Sequence, residues 1–186
     1  MRKYKCLVTE PIRSGMITLQ TIQPEEIQKI RVWRNNQKIK LRQSVDITTI
    51  EQEKYFEEYV WKFLDSPNPN QILLGIHDES KFIGYGGLVN ISYENLRAEV
   101  SFLVDTQIEE ESDQYEDIFR NFLAGIELVA KNDLCLHKIF TETYDFRSKH
   151  LKIIETLGYA REGILRDHNL VDGGWVASII HGKVLS

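Results

Sequence analysis

Cysteine is scarce in this chain of 186 residues, and its scarcity narrows the kinds of protein the chain can be. The two cysteines, Cys6 and Cys135, lie far apart and belong to no CxxC motif or Cys/His cluster. This pattern argues against a disulfide framework and against a zinc site, so we predict no bound metal. It favours reduced thiols in a cytoplasm, which is the predicted location.

Long apolar runs are also missing. No segment approaches the roughly 18 apolar residues that a membrane-spanning helix needs. Residues 1–6 are basic, but the apolar segment of a signal peptide does not follow them. No low-complexity or Pro/Gly/Ser-rich stretch marks a boundary, so we predict a single domain over residues 1–186 with no membrane partner.

Basic residues are in the minority, with 23 Lys and Arg against 28 Asp and Glu, and the formal net charge is −5. No basic stripe with interleaved aromatic residues is present, so we predict no nucleic-acid partner. An acidic protein is suited to a cationic or amine-bearing substrate, although moderate negative charge also favours solubility.

Strand and helix patterns alternate along the chain, which is typical of an α/β (α+β) fold. The hydrophobic periodicity predicts strands over residues 17–23, 71–77, 81–91, 96–105 and 137–144, and helices over residues 24–39, 49–64, 114–131 and 145–159. A hairpin over residues 161–168 and 173–185 is predicted to end the chain. The GYGG stretch at 84–87 lies inside an apolar strand, which indicates a bulge or a close backbone approach and not a phosphate loop.

Several short stretches resemble the GNAT family of N-acetyltransferases. They are WRN at 33–35, LRQ at 41–43, HKIFTETY at 137–144, LGYAREGILRDH at 157–168, DGGW at 172–175 and SIIHG at 178–182. The resemblance begins near Ile17 and points to the branch of the ribosomal-protein N-acetyltransferases, near bacterial enzymes that acetylate amino sugars carried by nucleotides. It implies a mixed, mostly antiparallel central sheet flanked by helices, with splayed fourth and fifth strands. It also implies acetyl-CoA as the cofactor.

The same resemblance implies where acetyl-CoA binds. The acetyl arm is expected in the gap beside the fourth strand, with the pyrophosphate on the free amides that open the next helix. The implied cofactor-binding residues are Phe102, Leu103, Val104, Ser112, Asp113, Gln114 and Arg147. An amide near residues 102–104 is the implied oxyanion donor.

The segment after the fourth strand departs from the family pattern. Residues 107–113 contain four carboxylates and neither a glycine nor a basic residue. Such a run repels a pyrophosphate unless its carboxylates face solvent. Acidic residues at a helix start also have a structural explanation, because they cap free N–H groups, with Ser112 or Asp113 as the expected cap.

Glu99 is the first candidate for proton transfer. Glu99, Ser101 and Leu103 are two residues apart along the fourth strand, so they share one of its faces. There Glu99 is either a general base with a raised pKa or a structural partner of an arginine such as Arg97.

Tyr144 and His150 are the other catalytic candidates. The resemblance implies a tyrosine acid at the position that Ile154 occupies here, so these two side chains are the nearest substitutes. His150 is expected to be exposed on its helix, where histidine is poised near neutral pH but is often inert. Tyr144 is equally interpreted as a packed aromatic residue with a polar tip.

The resemblance implies that the first helix and the segment after it form the acceptor site. The implied substrate-binding residues are Trp33, Arg34, Asn35, Arg42 and Gln43. Guanidinium groups beside aromatic rings can hold a nucleotide diphosphate. The alternative is that Arg34 pairs with a carboxylate and Trp33 packs in the core.

We therefore predict an acetyl-CoA-dependent N-acetyltransferase acting on a small-molecule amine, with an amino sugar of a nucleotide-activated sugar as the preferred acceptor. One alternative acceptor is the N-terminal amine of a protein. Another alternative is a non-catalytic binding module of the same fold, since the acidic stretch lacks glycine. A homodimer is one of the oligomeric states left open.

Overall fold

A computed structural model describes residues 2–110 and 112–185. Its strands are β1 (Ile12–Ser14), β2 (Ile17–Thr21), β3 (Ile72–Asp78), β4 (Lys81–Ser92), β5 (Arg97–Val104), β6 (Lys138–Tyr144), β7 (Ala160–Val171) and β8 (Gly174–Val184). They form one sheet in the order β1-β2-β3-β4-β5-β6-β8-β7. Among the described residues, every neighbouring pair is antiparallel except β5 with β6.

Helices cover both faces of this sheet. They are α1 (Ile27–Asn36), α2 (Thr49–Tyr55), α3 (Thr106–Glu110), α4 (Ser112–Leu128) and α5 (Ser148–Thr156). A 3-10 turn, Lys38–Lys40, follows α1, and π turns extend α2 (Phe56–Val60) and α4 (Val129–Asp133). The predicted mixed fold with a mostly antiparallel sheet is confirmed. Within the described ranges, no helix combines the length and apolar character that crossing a membrane requires.

The gap between β5 and β6 is the feature of the sheet that matters most for function. The two strands pair from Arg97–Lys138 to Glu99–Phe140 and no further. Beyond Glu99, β5 continues along β4, and β6 continues along β8. The strands therefore part after a short parallel contact, as the predicted splay requires.

Two apolar cores pack against opposite faces of the sheet. Leu103 belongs to the core with Trp33 of α1 and Phe56, whereas its neighbour Val104 belongs to the core with Phe122 of α4. Successive side chains of a strand point to opposite faces, so the α1 and α2 helices lie on one side and α4 on the other. Each large apolar side chain that is fully buried contributes about 1.5–3 kcal/mol.

The GYGG stretch marks a close backbone approach, as predicted. A Cβ atom added at Gly87, where φ is 153°, would collide with the carbonyl oxygen of Ile72, and one added at Gly86 with the carbonyl oxygen of Ser101. Glycine is therefore needed for β4 to pack between β3 and β5.

Several boundaries differ from the sequence prediction, and one short strand was not predicted. Helix α1 covers only part of residues 24–39, because Glu26 Oε2 accepts a hydrogen bond from Gln23 N at 2.8 Å and holds the preceding residues in a turn. The short strand β1, which pairs with β2 around Gly15, was missed because three residues are too few to show a period.

The resemblance implied a pyrophosphate-binding loop between Thr106 and Tyr115, and this prediction is wrong, because the described residues there are helical. The chain enters helix α3 directly after β5, because Asp105 Oδ1 accepts a hydrogen bond from Gln107 N at 3.1 Å. Asp105 thus caps the first turn of α3, and of the two caps expected for the next helix, the side chain of Ser112 lies outside the described part of the chain.

Candidate active site

A cavity of about 270 Å³, called the cleft below, lies where β5 and β6 part. Its walls include residues 99–102 of β5, residues 141–144 of β6, residues 40–42 after α1, and the side chains of Arg34, Arg147 and His150. The sheet thus supplies two walls of the cleft, and the segment after α1 supplies part of another.

Backbone amides of β5 face this cleft. Asp105 N donates to Ile83 O of β4 at 2.8 Å, whereas the Leu96 carbonyl accepts from His137 N and Lys138 N on the β6 side. Amides alternate along a strand, so the Phe102 amide faces the gap, where β6 no longer pairs with it. The amide of Leu103 faces β4 by the same alternation. It therefore does not reach the gap, although Leu103 was among the implied cofactor-binding residues.

The carbonyl of Val104 is already engaged. It accepts a hydrogen bond from Gln37 Nε2 at 2.9 Å, which ties the end of α1 to the end of β5. Of residues 102–104, Phe102 is therefore the best placed to offer its backbone N–H to a ligand in the gap.

Glu99 is held by two partners at the cleft wall. Its Oε1 accepts from Arg42 Nη2 at 2.9 Å, and its Oε2 accepts from Asn90 Nδ2 at 2.7 Å. Arg42 also approaches Glu142 Oε2 through Nη1, at 3.4 Å. The arginine that meets Glu99 is therefore Arg42 and not Arg97, which lies over an aromatic ring.

Glu142 is a cleft residue that sequence reasoning missed. Its Oε1 accepts a hydrogen bond from Ser178 Oγ at 2.8 Å, and Asn169 Nδ2 donates to the same Oγ at 2.9 Å. His168 Nε2 lies 3.9 Å from this carboxylate. The alternation of side chains along a strand could have identified Glu142, because it lies on the same face of β6 as the candidate Tyr144.

Tyr144 lies at the open end of the gap, where it lines the cleft and packs on Phe146 with ring centroids 5.4 Å apart. Burial raises the pKa of its hydroxyl, Arg42 opposes this rise in pKa, and Glu142 adds to it. Tyr144 is therefore protonated at neutral pH and can donate a proton or a hydrogen bond into the cleft.

His150 is buried, so the expectation of an exposed histidine was wrong. Its Nδ1 lies 2.6 Å from the hydroxyl of Tyr115, and its ring stacks on Phe119 at 4.4 Å. Burial lowers the pKa of His150 well below 6.5, and the charges of Arg147 and His181 lower this pKa further. The turn of α5 that carries it faces α4 and not solvent, which a helical period alone does not determine.

A second cavity, called the α4–α5 cavity, adjoins the cleft and has a volume of about 580 Å³. Glu109 at its edge accepts from Lys40 Nζ at 2.9 Å and from Arg147 Nη2 at 3.2 Å. Lys149 and Lys152 also line it. Two cations from other segments, Lys40 and Arg147, thus pair with Glu109 of the acidic stretch, so this carboxylate does not point to solvent.

Two of the predicted substrate-binding residues line the cleft, namely Arg34 and Arg42. Arg34 Nη1 donates to the hydroxyl of Tyr85 at 2.8 Å, and its Nε donates to Gln43 Oε1 at 3.1 Å. The carboxylate partner considered for Arg34 is thus replaced by neutral oxygens. Both arginines are held by internal contacts at the edge of the cleft.

The other three predicted substrate-binding residues do not line the cleft. Trp33 is buried and packs on Phe82 with ring centroids 5.1 Å apart. Asn35 bonds both backbone groups of Ile47 at 2.9 Å, and Gln43 Nε2 donates to Asn35 Oδ1 at 2.8 Å. Asn35 and Gln43 thus hold the segment after α1 against that helix, and Trp33 packs in the core. The WRN sequence at 33–35 therefore has a structural explanation.

A family model described as an acetyltransferase (GNAT) domain matches residues 19–180. The chain belongs to the GNAT acetyltransferase family. It is a GNAT-type N-acetyltransferase that uses acetyl-CoA. A search of curated proteins found no match.

Solved structures of GNAT enzymes share this fold. The spermidine N-acetyltransferase from Vibrio cholerae, in complex with CoA and spermine, has a TM-score of 0.80 at 17% identity and covers 92% of this chain and 96% of that one. A dodecameric structure of the Vibrio cholerae enzyme in an intermediate state has a TM-score of 0.73 at 18% identity, with coverage of 92% and 95%. The ribosomal-protein branch and the amino-sugar subgroup stay predictions.

The residues of this GNAT enzyme fit acetyl-CoA, which supplies the acetyl group as a reactive thioester. The Phe102 N–H faces the gap and could donate a hydrogen bond to the cofactor there, and the adjoining cavity carries Arg147, Lys149 and Lys152 near the start of α4. A helix N-terminus with nearby cations attracts phosphate. The cations missing from the acidic stretch are supplied by α5 and the segment before it.

Proposed function

We propose that this GNAT enzyme acetylates a primary amine of a small cationic acceptor of the polyamine class. The observation that carries the proposal is that two carboxylates, Glu99 and Glu142, line the same cleft with the half-exposed Arg42 between them. A cleft lined by carboxylates attracts an ammonium group. The structurally similar Vibrio cholerae enzyme, whose complex contains spermine, supports the same class.

The cleft offers groups for each part of the reaction. An alkyl ammonium must lose a proton before its nitrogen can attack, so a carboxylate base is needed near the acetyl carbon. The Phe102 amide is proposed as the oxyanion donor, and Tyr144 as the acid that supplies a proton to the departing sulfur. His150 is assigned to packing, since its Nδ1 is engaged with Tyr115.

The nucleotide-linked amino sugar is a second candidate acceptor. It is favoured by the presence of Arg34 and Arg42 at the cleft, because guanidinium groups bind diphosphates. A diphosphate must draw Arg42 away from Glu99, however, and must come close to two carboxylates. This cost favours the cationic acceptor.

Titration with CoA followed by an acetylation assay tests the proposal. We expect saturable CoA binding and thiol release with spermidine or spermine that exceeds release with a nucleotide-linked amino sugar or an N-terminal peptide. Activity confined to the sugar nucleotide contradicts the polyamine class. Absence of CoA binding at millimolar concentration contradicts catalysis and favours the non-catalytic module.

Three further expectations stay predictions. They are a single functional domain over residues 1–186, a cytoplasmic location, and self-association such as a homodimer. The dodecamer reported for the Vibrio cholerae enzyme makes the oligomeric state worth measuring by light scattering.

A further inference from the structure

We propose that Glu142, and not Glu99, is the carboxylate that takes the proton from the acceptor's ammonium group. The inference rests on the proposed function, because it needs an amine in the cleft. Both carboxylates line that cleft, so the choice between them depends on which has an oxygen free to receive a proton.

Glu99 is the more strongly engaged of the two carboxylates. Each of its oxygens already accepts a short hydrogen bond, from Arg42 at 2.9 Å and from Asn90 at 2.7 Å. These lengths are those of full hydrogen bonds, and the bond from the guanidinium is charge-assisted. Glu99 is therefore suited to be a positioning residue, which holds Arg42 at the cleft wall.

Glu142 presents a different arrangement at its two oxygens. Its Oε1 accepts the full hydrogen bond from Ser178, whereas its Oε2 meets Arg42 Nη1 at 3.4 Å, beyond the usual length of a charge-assisted bond. Oε2 is therefore the least engaged of the four oxygens of the two carboxylates, and it can accept an ammonium proton without breaking a full hydrogen bond.

Neighbouring strands fix this orientation. Ser178 is fully buried on β8, and because Asn169 donates to its hydroxyl, the proton of that hydroxyl is directed to Glu142. The register of β7 against β8 shifts between Leu165 and Asn169, and Asp167 within this irregular segment has a φ of 48°. Irregularities of this kind re-aim side chains. The fold therefore holds Oε1 and leaves Oε2 turned toward Arg42.

Arg42 marks the place that the acceptor takes. Its side chain is 48% exposed and bridges the two carboxylates, with the shorter contact at Glu99. An ammonium group can replace Nη1 at Glu142 while Nη2 stays on Glu99. His168, 3.9 Å from Glu142, and Tyr144 complete the titratable surroundings.

The protons and bonds of the step balance. The ammonium nitrogen gives one proton to Glu142 Oε2 and attacks the acetyl carbon, so that a carbon–nitrogen bond forms and the carbon–sulfur bond breaks. The sulfur leaves with the electron pair of that bond and takes the proton of Tyr144, which regains one from the nitrogen. The products are an amide, a thiol and one proton that Glu142 releases to water.

The test compares Glu142→Gln with Glu99→Gln, Ser178→Ala and the control Glu162→Gln. Glu162 is an exposed residue of β7 that pairs with Lys138 outside the cleft. For each protein the dissociation constant of CoA and the kcat for spermidine are measured from pH 6 to pH 10. A general base contributes about 10²–10⁴-fold, so E142Q should lose that much kcat at neutral pH with CoA binding unchanged.

Two pH effects separate a base from a structural residue. E142Q should regain activity as the pH approaches the pKa of the amine, at about 10, because the acceptor then loses its proton to solvent. S178A should lose part of the kcat at neutral pH and regain it over the same pH range, because Glu142 Oε1 loses the hydrogen bond that orients the carboxylate. E99Q should lose less than about tenfold, and E162Q should match the wild type.

Each contrary result has its own meaning. An E142Q enzyme with wild-type kcat, or a larger loss in E99Q than in E142Q, overturns the assignment of the base. If E142Q does not fold, an unchanged pH profile in S178A overturns it instead. A wild-type protein that binds CoA and acetylates no primary amine contradicts the proposed function and this inference with it.

Discussion

The ammonium group of Lys40 lies 2.9 Å from the carboxylate of Glu109, so the segment after α1 is joined to the first helical turn after β5. Arg147 reaches the same Glu109 oxygen from the other side, at 3.2 Å. Glu109 of the acidic stretch is thereby paired with two cations, Lys40 and Arg147, which both line the cleft and the α4–α5 cavity. Its charge does not exclude an anionic cofactor.

Arg147→Ala should weaken CoA binding by about tenfold, because it removes a cation from the α4–α5 cavity; one charge-assisted bond contributes about 1.5–3 kcal/mol. Isothermal titration at two salt concentrations checks this, with a smaller salt effect expected in the variant. Arg120→Ala is the control, since Arg120 is an exposed arginine paired with Glu116 on α4. Equal affinities for the two variants contradict the placement of the phosphates.

Tyr144→Phe should lower kcat by about 10²-fold while CoA affinity stays unchanged, because it removes only the proposed acid. Steady-state kinetics with spermidine and a parallel CoA titration provide the measurement. Tyr59→Phe, at an exposed position far along the chain, serves as the control. A kcat within twofold of the wild type removes Tyr144 from the mechanism.

His150 should make the fold sensitive to acid. Its pKa is lowered in the folded state, so its contribution to stability is full above about pH 6.5 and is lost as the pH falls toward the folded pKa. Thermal unfolding followed from pH 8 to pH 5 should show a shallower decline for His150→Asn, whose amide oxygen can still accept the Tyr115 hydrogen bond. Parallel declines in the two proteins contradict this account.

Gly87→Ala should destabilise the protein by about 1–3 kcal/mol, because its Cβ collides with the backbone of Ile72 and its φ of 153° disfavours any side chain. Gly163→Ala is the matched control, since an added Cβ there has no neighbour within 4 Å. Urea unfolding of both variants measures the change in the free energy of unfolding. A loss at Gly87 no greater than that at Gly163 contradicts the close strand approach.

The order of strands and helices could be predicted from the sequence because it depends on local periods. The hairpin of β7 and β8 and the turn-forming glycines at 173–174 are visible within one window of residues. Helix α3 was missed because its cap, Asp105, was interpreted as the last residue of a strand. A single side chain therefore decided whether the segment was loop or helix.

The site was harder to predict because its contacts join distant parts of the chain. Glu142 depends on Ser178, 36 residues later, and Glu99 on Arg42, 57 residues earlier. The burial of His150 depends on which face of α5 packs on α4. The family resemblance identified the strands that form the cleft, but only their packing shows that Glu142 Oε2 meets Arg42 at 3.4 Å while both Glu99 oxygens accept shorter hydrogen bonds.

The positions of Lys40 and Arg42 on one short segment have a thermodynamic consequence. Two residues of extended chain span at most about 7 Å, so these two side chains cannot move independently over long distances. Lys40 pairs with Glu109 at the edge of the α4–α5 cavity, and Arg42 pairs with Glu99 in the cleft. If cofactor binding shifts this segment and changes the affinity for the acceptor, the acceptor must change the affinity for the cofactor by the same factor.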